Sequence, residues 1–234
     1  MLGKRILLLI FLSMMIGLSA TAQDNKDIRK ILDGHEIHVR GGIDGNIINF
    51  VSIGIDENNN GLGDNLFVIF DRNYKIKNYY KGAITSSVSM IDYNKNYIVF
   101  RMTTENGDRG IVAYDVKKNL FMEFPVNYAW MYNLFVEGNY AFFSSEKGHP
   151  HLNCIDLKNN KLYSFEDIDC ECAEYGIYKN KVYAVSPDND SVYRFTGKGF
   201  EEAKGIDKNK IQIKYSGIAD YVIEDGIIDR LLLR

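Results

Sequence analysis

Several kinds of machinery are missing from this 234-residue chain, and each absence removes a class of function. It has no G-x-S-x-G nucleophile elbow, no H-E-x-x-H zinc helix and no phosphate-cradling P-loop. Basic residues are not in excess, with 28 Lys plus Arg against 31 Asp plus Glu and a net charge of −3. Proteins that follow a phosphate backbone concentrate positive charge, so nucleic acid is not expected as a partner. Acids are numerous but sit mostly at turns, so no Asp/Glu pair stands out as general acid and base. Cysteine is scarce, at 3, and there is a single tryptophan.

No apolar run has the length of a bilayer span; Ile6 to Leu18 is too short for one. Preceded by Lys4 and Arg5 and followed by Ala20-Thr21-Ala22, it reads as a secretory signal peptide over residues 1–22. No cysteine lies near the expected cleavage after Ala22, so a lipid anchor is not expected, nor is membrane insertion once the signal is removed. Loss of Lys4 and Arg5 leaves 26 basic against 31 acidic residues, a net charge of −5. The expectation is one domain, 23–234, in a periplasm or outside the cell.

Aromatic residues are plentiful, with 16 Tyr and 13 Phe, nearly all in alternating runs that suit pleated, half-buried strands. Five times a short polar corner leads into a β-prone run: GNIINFVSIG from Gly45, KNYIVFRMT from Lys95, GNYAFFSS from Gly138, KNKVYAVS from Lys179 and DGIIDRLLLR from Asp225. The starts lie 50, 43, 41 and 46 residues apart, the spacing of four-stranded propeller blades. One unit reads as four strands, YNLFVEG, NYAFFSS, LNCIDLK and KLYSFED, apolar at every second position. The fold class is therefore all-β, a propeller-like array of about five four-stranded antiparallel blades, the last incomplete in sequence. EIHVRG, from Glu36 to Gly41, is available to complete that last blade; an open curved stack and a truncated larger propeller are the alternatives. Residues 25–32 allow one or two helical turns. Asp71, Asp115 and Asp156 each end a strand before a polar turn and read as turn caps.

By its pattern of an Asp-ended strand, a short Lys/Asn turn and another aromatic strand, as in LFVIFDRNYKIKNYY, the chain resembles secreted bacterial six-bladed propellers of the TolB-like and NHL-like kind. The resemblance implies the fold and carries over no active site, and the chain is too short for six full blades.

The sharpest local motif runs from Asp56 to Asp64 with the spacing D-x-N-x-N-G-x-x-D. Side-chain oxygens of Asp56, Asn58, Asn60 and Asp64, with the Leu62 carbonyl, form a ligand set of the kind calcium takes, and Gly61 permits the reversal. It resembles the calcium loops of integrin-type propellers. Asparagines at the third and fifth positions and Phe67 at the twelfth depart from the fullest pattern, which implies weak affinity. A plain Asn/Gly loop is the other reading.

Two further groups fall in connections expected to open on one face. His149-Pro150-His151 with Cys154, then Cys170 and Cys172, combine imidazole and thiol, but the spacing matches no zinc signature. In an oxidising compartment, Cys154 paired with Cys170 or Cys172 is the expected disulfide. Tyr128, Trp130 and Tyr132 lie between two units, either as an aromatic platform for a sugar or protein or as inter-blade packing.

The function this supports is a secreted, non-catalytic propeller-like module. It would bind a protein or glycan through Tyr128, Trp130, Tyr132, His149 and His151, with calcium as the one expected cofactor. The alternatives are a glycan-active hydrolase or lyase with carboxylates in the central channel, and an inert propeller remnant.

Overall fold

The computed structural model describes residues 37–43, 48–55, 64–71, 75–82, 91–103, 109–126, 130–146, 149–170 and 172–214. They form four antiparallel sheets of consecutive strands, the blades of the array. Blade one is β1 (Ile37–Ile43), β2 (Ile48–Ile55), β3 (Asp64–Asp71) and β4 (Ile76–Gly82). Blade two is β5 (Ile91–Tyr93), β6 (Tyr97–Thr103), β7 (Arg109–Asp115) and β8 (Leu120–Pro125). Blade three is β9 (Trp130–Glu137), β10 (Tyr140–Glu146), β11 (Pro150–Asp156) and β12 (Lys161–Asp169). Blade four is β13 (Glu174–Tyr178), β14 (Lys181–Val185), β15 (Val192–Phe195) and β16 (Phe200–Glu202), and β17 (Gln212–Ile213) joins it beside β13.

The first four of the five recurrent runs are the second strands β2, β6, β10 and β14. Their strong signal has a packing cause that is clearest in β6 and β10. Along β10, Ala141 and Phe143 pack toward blade two while Phe142 packs toward blade four, so both faces are buried. Along β6, Val99 faces blade three, and Ile98 and Phe100 face blade one. A strand covered on both faces reads as a nearly continuous apolar run. The outer strand β8, by contrast, alternates buried and exposed positions. Phe67 of blade one stacks on Phe100 of blade two with centroids 4.1 Å apart. Phe135 of blade three lies nearly parallel to Tyr175 of blade four at 6.2 Å. Each such buried ring contributes roughly 2 to 3 kcal/mol.

One expectation is corrected here. The Glu36–Gly41 stretch does not stand free to complete the last blade: Ile37 onward forms β1 and pairs with β2, Arg40 opposite Val51. The reason is proximity, because a hairpin partner a few residues away closes at less entropic cost than a distant one. The signal peptide, the segment 25–32 and the fifth run from Asp225 lie outside the described residues. Among the described residues no helix is long and apolar enough to cross a membrane.

Connections sort to two ends. Turns from first to second and from third to fourth strand share one end: Asn78 donates to the Asn119 carbonyl at 2.9 Å, and Asn94 donates to the Gly138 carbonyl at 3.0 Å, each from blade to blade. The expected Asp caps are in place at this hairpin end. Asp115 accepts from the Lys117 and Lys118 amides at 3.0 and 2.9 Å, Asp156 from the Asn159 amide at 3.0 Å, and Asp71 from the Lys75 amide at 3.0 Å. Asn119 and Asn160 then take the left-handed conformation that ends each turn. The opposite, crossover end carries the connections from second to third strand and from blade to blade.

Beyond blade four the chain folds back. Ile211 packs with Tyr183, Val185 and Val192, and Ala203 and Ile206 border them, so residues 203–211 lie along the far face of blade four. β17 then approaches β13 so closely that a Cβ on Gly176 would lie 2.5 Å from the Gln212 carbonyl oxygen. Only glycine permits that approach.

Candidate functional site

The crossover end of blade three gathers part of the expected binding face. Trp130 opens β9 opposite Glu146, the last residue of β10, which sets its backbone at this end. Tyr132, half-buried, donates its hydroxyl to the Glu146 carboxylate at 3.2 Å. His149 is exposed in the β10–β11 connection, its Nε2 2.9 Å from the Glu166 carbonyl oxygen. A carbonyl only accepts, so that nitrogen carries the proton and the ring is held from β12. The two histidine rings are tilted, with centroids 5.7 Å apart. His151 differs from the expectation: it lies within β11 at 6% exposure, its Nδ1 3.1 Å from the His149 carbonyl. β11 is buried along its whole length from His151 to Asp156, so the ring props the His149 loop and is not a surface a partner touches. Tyr128 lies outside the described residues.

Two neighbours were missed by the sequence reading. Glu146 and Glu166 border Tyr132 and His149, and only strand register brings them there. The hairpin pairing of β9 with β10 was the signal for Glu146; for Glu166 there was none, because its role is played by the backbone.

Beneath this end a buried polar network stiffens blade three. Asn153 donates to the Ser145 hydroxyl at 2.8 Å and accepts from the Ser164 hydroxyl at 2.8 Å. Asn133, in a left-handed conformation at a bulge of β9, turns its amide to the Cys172 and Ala173 carbonyls at 3.2 and 2.8 Å. Ser144 accepts from the Ala173 amide at 3.1 Å. The connection into blade four is thereby tied to blade three. The ends of β2 and β3 that flank residues 56–63 lie at this end; residues 56–63, which hold the calcium candidates Asp56, Asn58, Asn60 and Leu62, lie outside the described residues. Their flanks are paired, with the backbone of Ile55 opposite that of Asp64, the fourth side-chain candidate.

The expected disulfide is absent: no bond joins Cys154, Cys170 and Cys172. Cys154 and Cys170 are buried together among Phe142, Leu152, Tyr175 and Ala184. Burial pushes the Cys154 thiol well above the ordinary range, which is the behaviour of a small apolar filler. Among the described residues no three His, Cys, Asp or Glu side chains converge as a metal site.

Facing the hub, where β5 approaches β9, stands Asp92. Its Oδ2 accepts from the Val136 amide at 2.6 Å, fastening blade two to blade three. Burial raises its pKa to about 6, against the lowering effect of the Val136 and Tyr93 amides. Such a value suits a general acid, yet the carboxylate already serves a structural hydrogen bond.

No family model matches the sequence, and no curated protein matches it. Among solved structures, the β-propeller domain of the Trilobed protease from Pyrococcus furiosus is similar, with a TM-score of 0.50 and 11% identity over 72% of this chain and 57% of that one. The acylaminoacyl peptidase of Pyrococcus horikoshii gives 0.45 and 15% over 72% and 32%, and TolB from Acinetobacter baumannii 0.40 and 13% over 78% and 44%. The chain thus spans little more than half of the protease propeller. The likeness shows the fold, a β-propeller architecture, and no activity.

Proposed function

We propose that the chain is a secreted, non-catalytic propeller module that binds a glycan or protein partner at its crossover end, around Trp130, Tyr132 and His149. The observation that carries the reading is the exposed, backbone-anchored His149 ring beside the Tyr132–Glu146 pair. Rigid aromatic and polar groups on a stiff blade recognise a ligand with little ordering cost. Secretion rests on the Lys4 to Ala22 pattern. Calcium at Asp56 to Asp64 belongs to the same proposal, on the spacing of that loop, and would stabilise the end that bears the site.

The test is an array of defined oligosaccharides and of envelope proteins, probed with the natural chain and with Trp130→Ala and His149→Ala. The reading expects binding that drops at least ten-fold in both variants. Unchanged binding would refute the face assignment. A hydrolase or lyase is favoured by one observation, the raised pKa of Asp92. Turnover of a labelled oligosaccharide that disappears in Asp92→Asn would decide for it.

A further inference from the structure

The hairpin end, opposite the candidate site, has its own chemistry. Among the described residues of its turns, every charged side chain is a lysine. Lys95 and Lys179 occupy the first-to-second-strand turns near the hub, and Lys75, Lys117, Lys158 and Lys198 the third-to-fourth-strand turns farther out; all are exposed. Two of the acids that cap these turns are withdrawn beneath them, Asp115 at 4% and Asp156 at 7% exposure, with oxygens turned to turn amides; Asp71 is half-buried on the Lys75 amide, and Glu137, beside the β9–β10 turn, is paired with Lys214. Beside Lys117 stands Leu120, 52% exposed and the one large exposed apolar side chain among the described residues. The crossover end is its opposite, with Glu166, Asp167 and Asp188 exposed and Asp190 paired with Lys208.

We infer that the hairpin end docks on an anionic phospholipid surface. Three features select a membrane over other polyanions. The lysines spread from hub to rim over four blades, so a flat charged surface meets all of them, whereas a linear polymer meets one row. They are lysines throughout the described turns, and an ammonium is a point charge suited to a diffuse field, where a guanidinium fork suits fixed bidentate partners. Leu120 adds an apolar side chain at the depth of the headgroup boundary. The acidic crossover end is repelled from the same surface, so docking has one orientation and leaves the Trp130 and His149 end facing outward. Clustered lysines beside an anionic leaflet each strengthen attachment by about five-fold.

The test is flotation of the full chain with phosphatidylcholine vesicles and with vesicles that also contain phosphatidylglycerol. The pure phosphatidylcholine arm subtracts attachment through the apolar residues 6–18. The inference expects selective binding to the anionic vesicles, lost as salt is raised. A Lys117→Ala, Lys158→Ala, Lys198→Ala triple variant should bind on the order of 100-fold more weakly. All three positions are exposed, so its melting curve should match that of the natural chain; should it not fold, the salt dependence of the natural chain decides. Equal binding to both vesicles, salt-insensitive binding, or a triple variant that binds as well as the natural chain overturns the inference. So does retention on immobilised heparin without vesicle binding, which would point to a linear polyanion.

Discussion

Asp92 allows the hub between blades two and three to be tested quantitatively. Its carboxylate accepts from the Val136 amide at 2.6 Å, yet burial outweighs that bond and raises its pKa from an ordinary 3.8 to about 6. The folded chain therefore holds this proton more tightly than the unfolded chain does. Asp92 contributes its full stability at low pH and loses it as pH rises through about 6. A shift of some two units corresponds to about 3 kcal/mol, and partial solvent access reduces this to about 1 to 3 kcal/mol. Asp92→Asn mimics the protonated acid and cannot ionise. Urea unfolding of both chains between pH 4 and pH 8 cancels every other titrating group. Natural stability minus variant stability should fall by about 1 to 3 kcal/mol, most of it between the ordinary pKa of 3.8 and the folded value of about 6, and level off above that. A flat difference, or one that rises with pH, would refute the desolvation argument.

Three other substitutions probe the packing. The Tyr175 hydroxyl is buried with no hydrogen-bond partner, so Tyr175→Phe should stabilise the chain by about 1 kcal/mol in denaturant melts; a loss would reveal a partner. Gly176→Ala forces a Cβ against the Gln212 backbone and should cost about 1 to 3 kcal/mol, with faster proteolysis within residues 203–214. Asp115→Ala strands two turn amides and should cost about 1 to 2 kcal/mol in the same melts. For the calcium proposal, the melting temperature should fall when millimolar calcium is replaced by chelator, and an unchanged value removes calcium from the account.

The blade rhythm was legible because the second strands are buried on both faces. No tertiary knowledge is needed to see that KNYIVFRMT or GNYAFFSS must lie between two layers. The capping role of Asp115 and Asp156 was legible as well, since it depends on amides two or three residues away. What failed depended on pairings that local pattern does not encode. The Glu36–Gly41 strand could serve either end of the array, and only hairpin closure decided for β2. Cys154 and Cys170 share a core cluster without bonding, a matter of side-chain geometry that spacing does not carry. His151 was grouped with His149 although β11 buries it, as it buries every residue from His151 to Asp156, while His149 stays exposed in the connection before the strand. The lysine turns were visible one by one, but their convergence on a single end needed the blades to be stacked in a common direction.

The central claim is that recognition belongs to the crossover end. It is tested most directly by hydroxyl-radical footprinting of the chain with and without the oligosaccharide or protein that array screening retains. The account predicts protection of Trp130, Tyr132 and His149, with the hairpin-end residues Leu120 and Tyr178 unchanged. Protection confined to the hairpin end, with Trp130 and His149 still oxidised at the free rate, would contradict it.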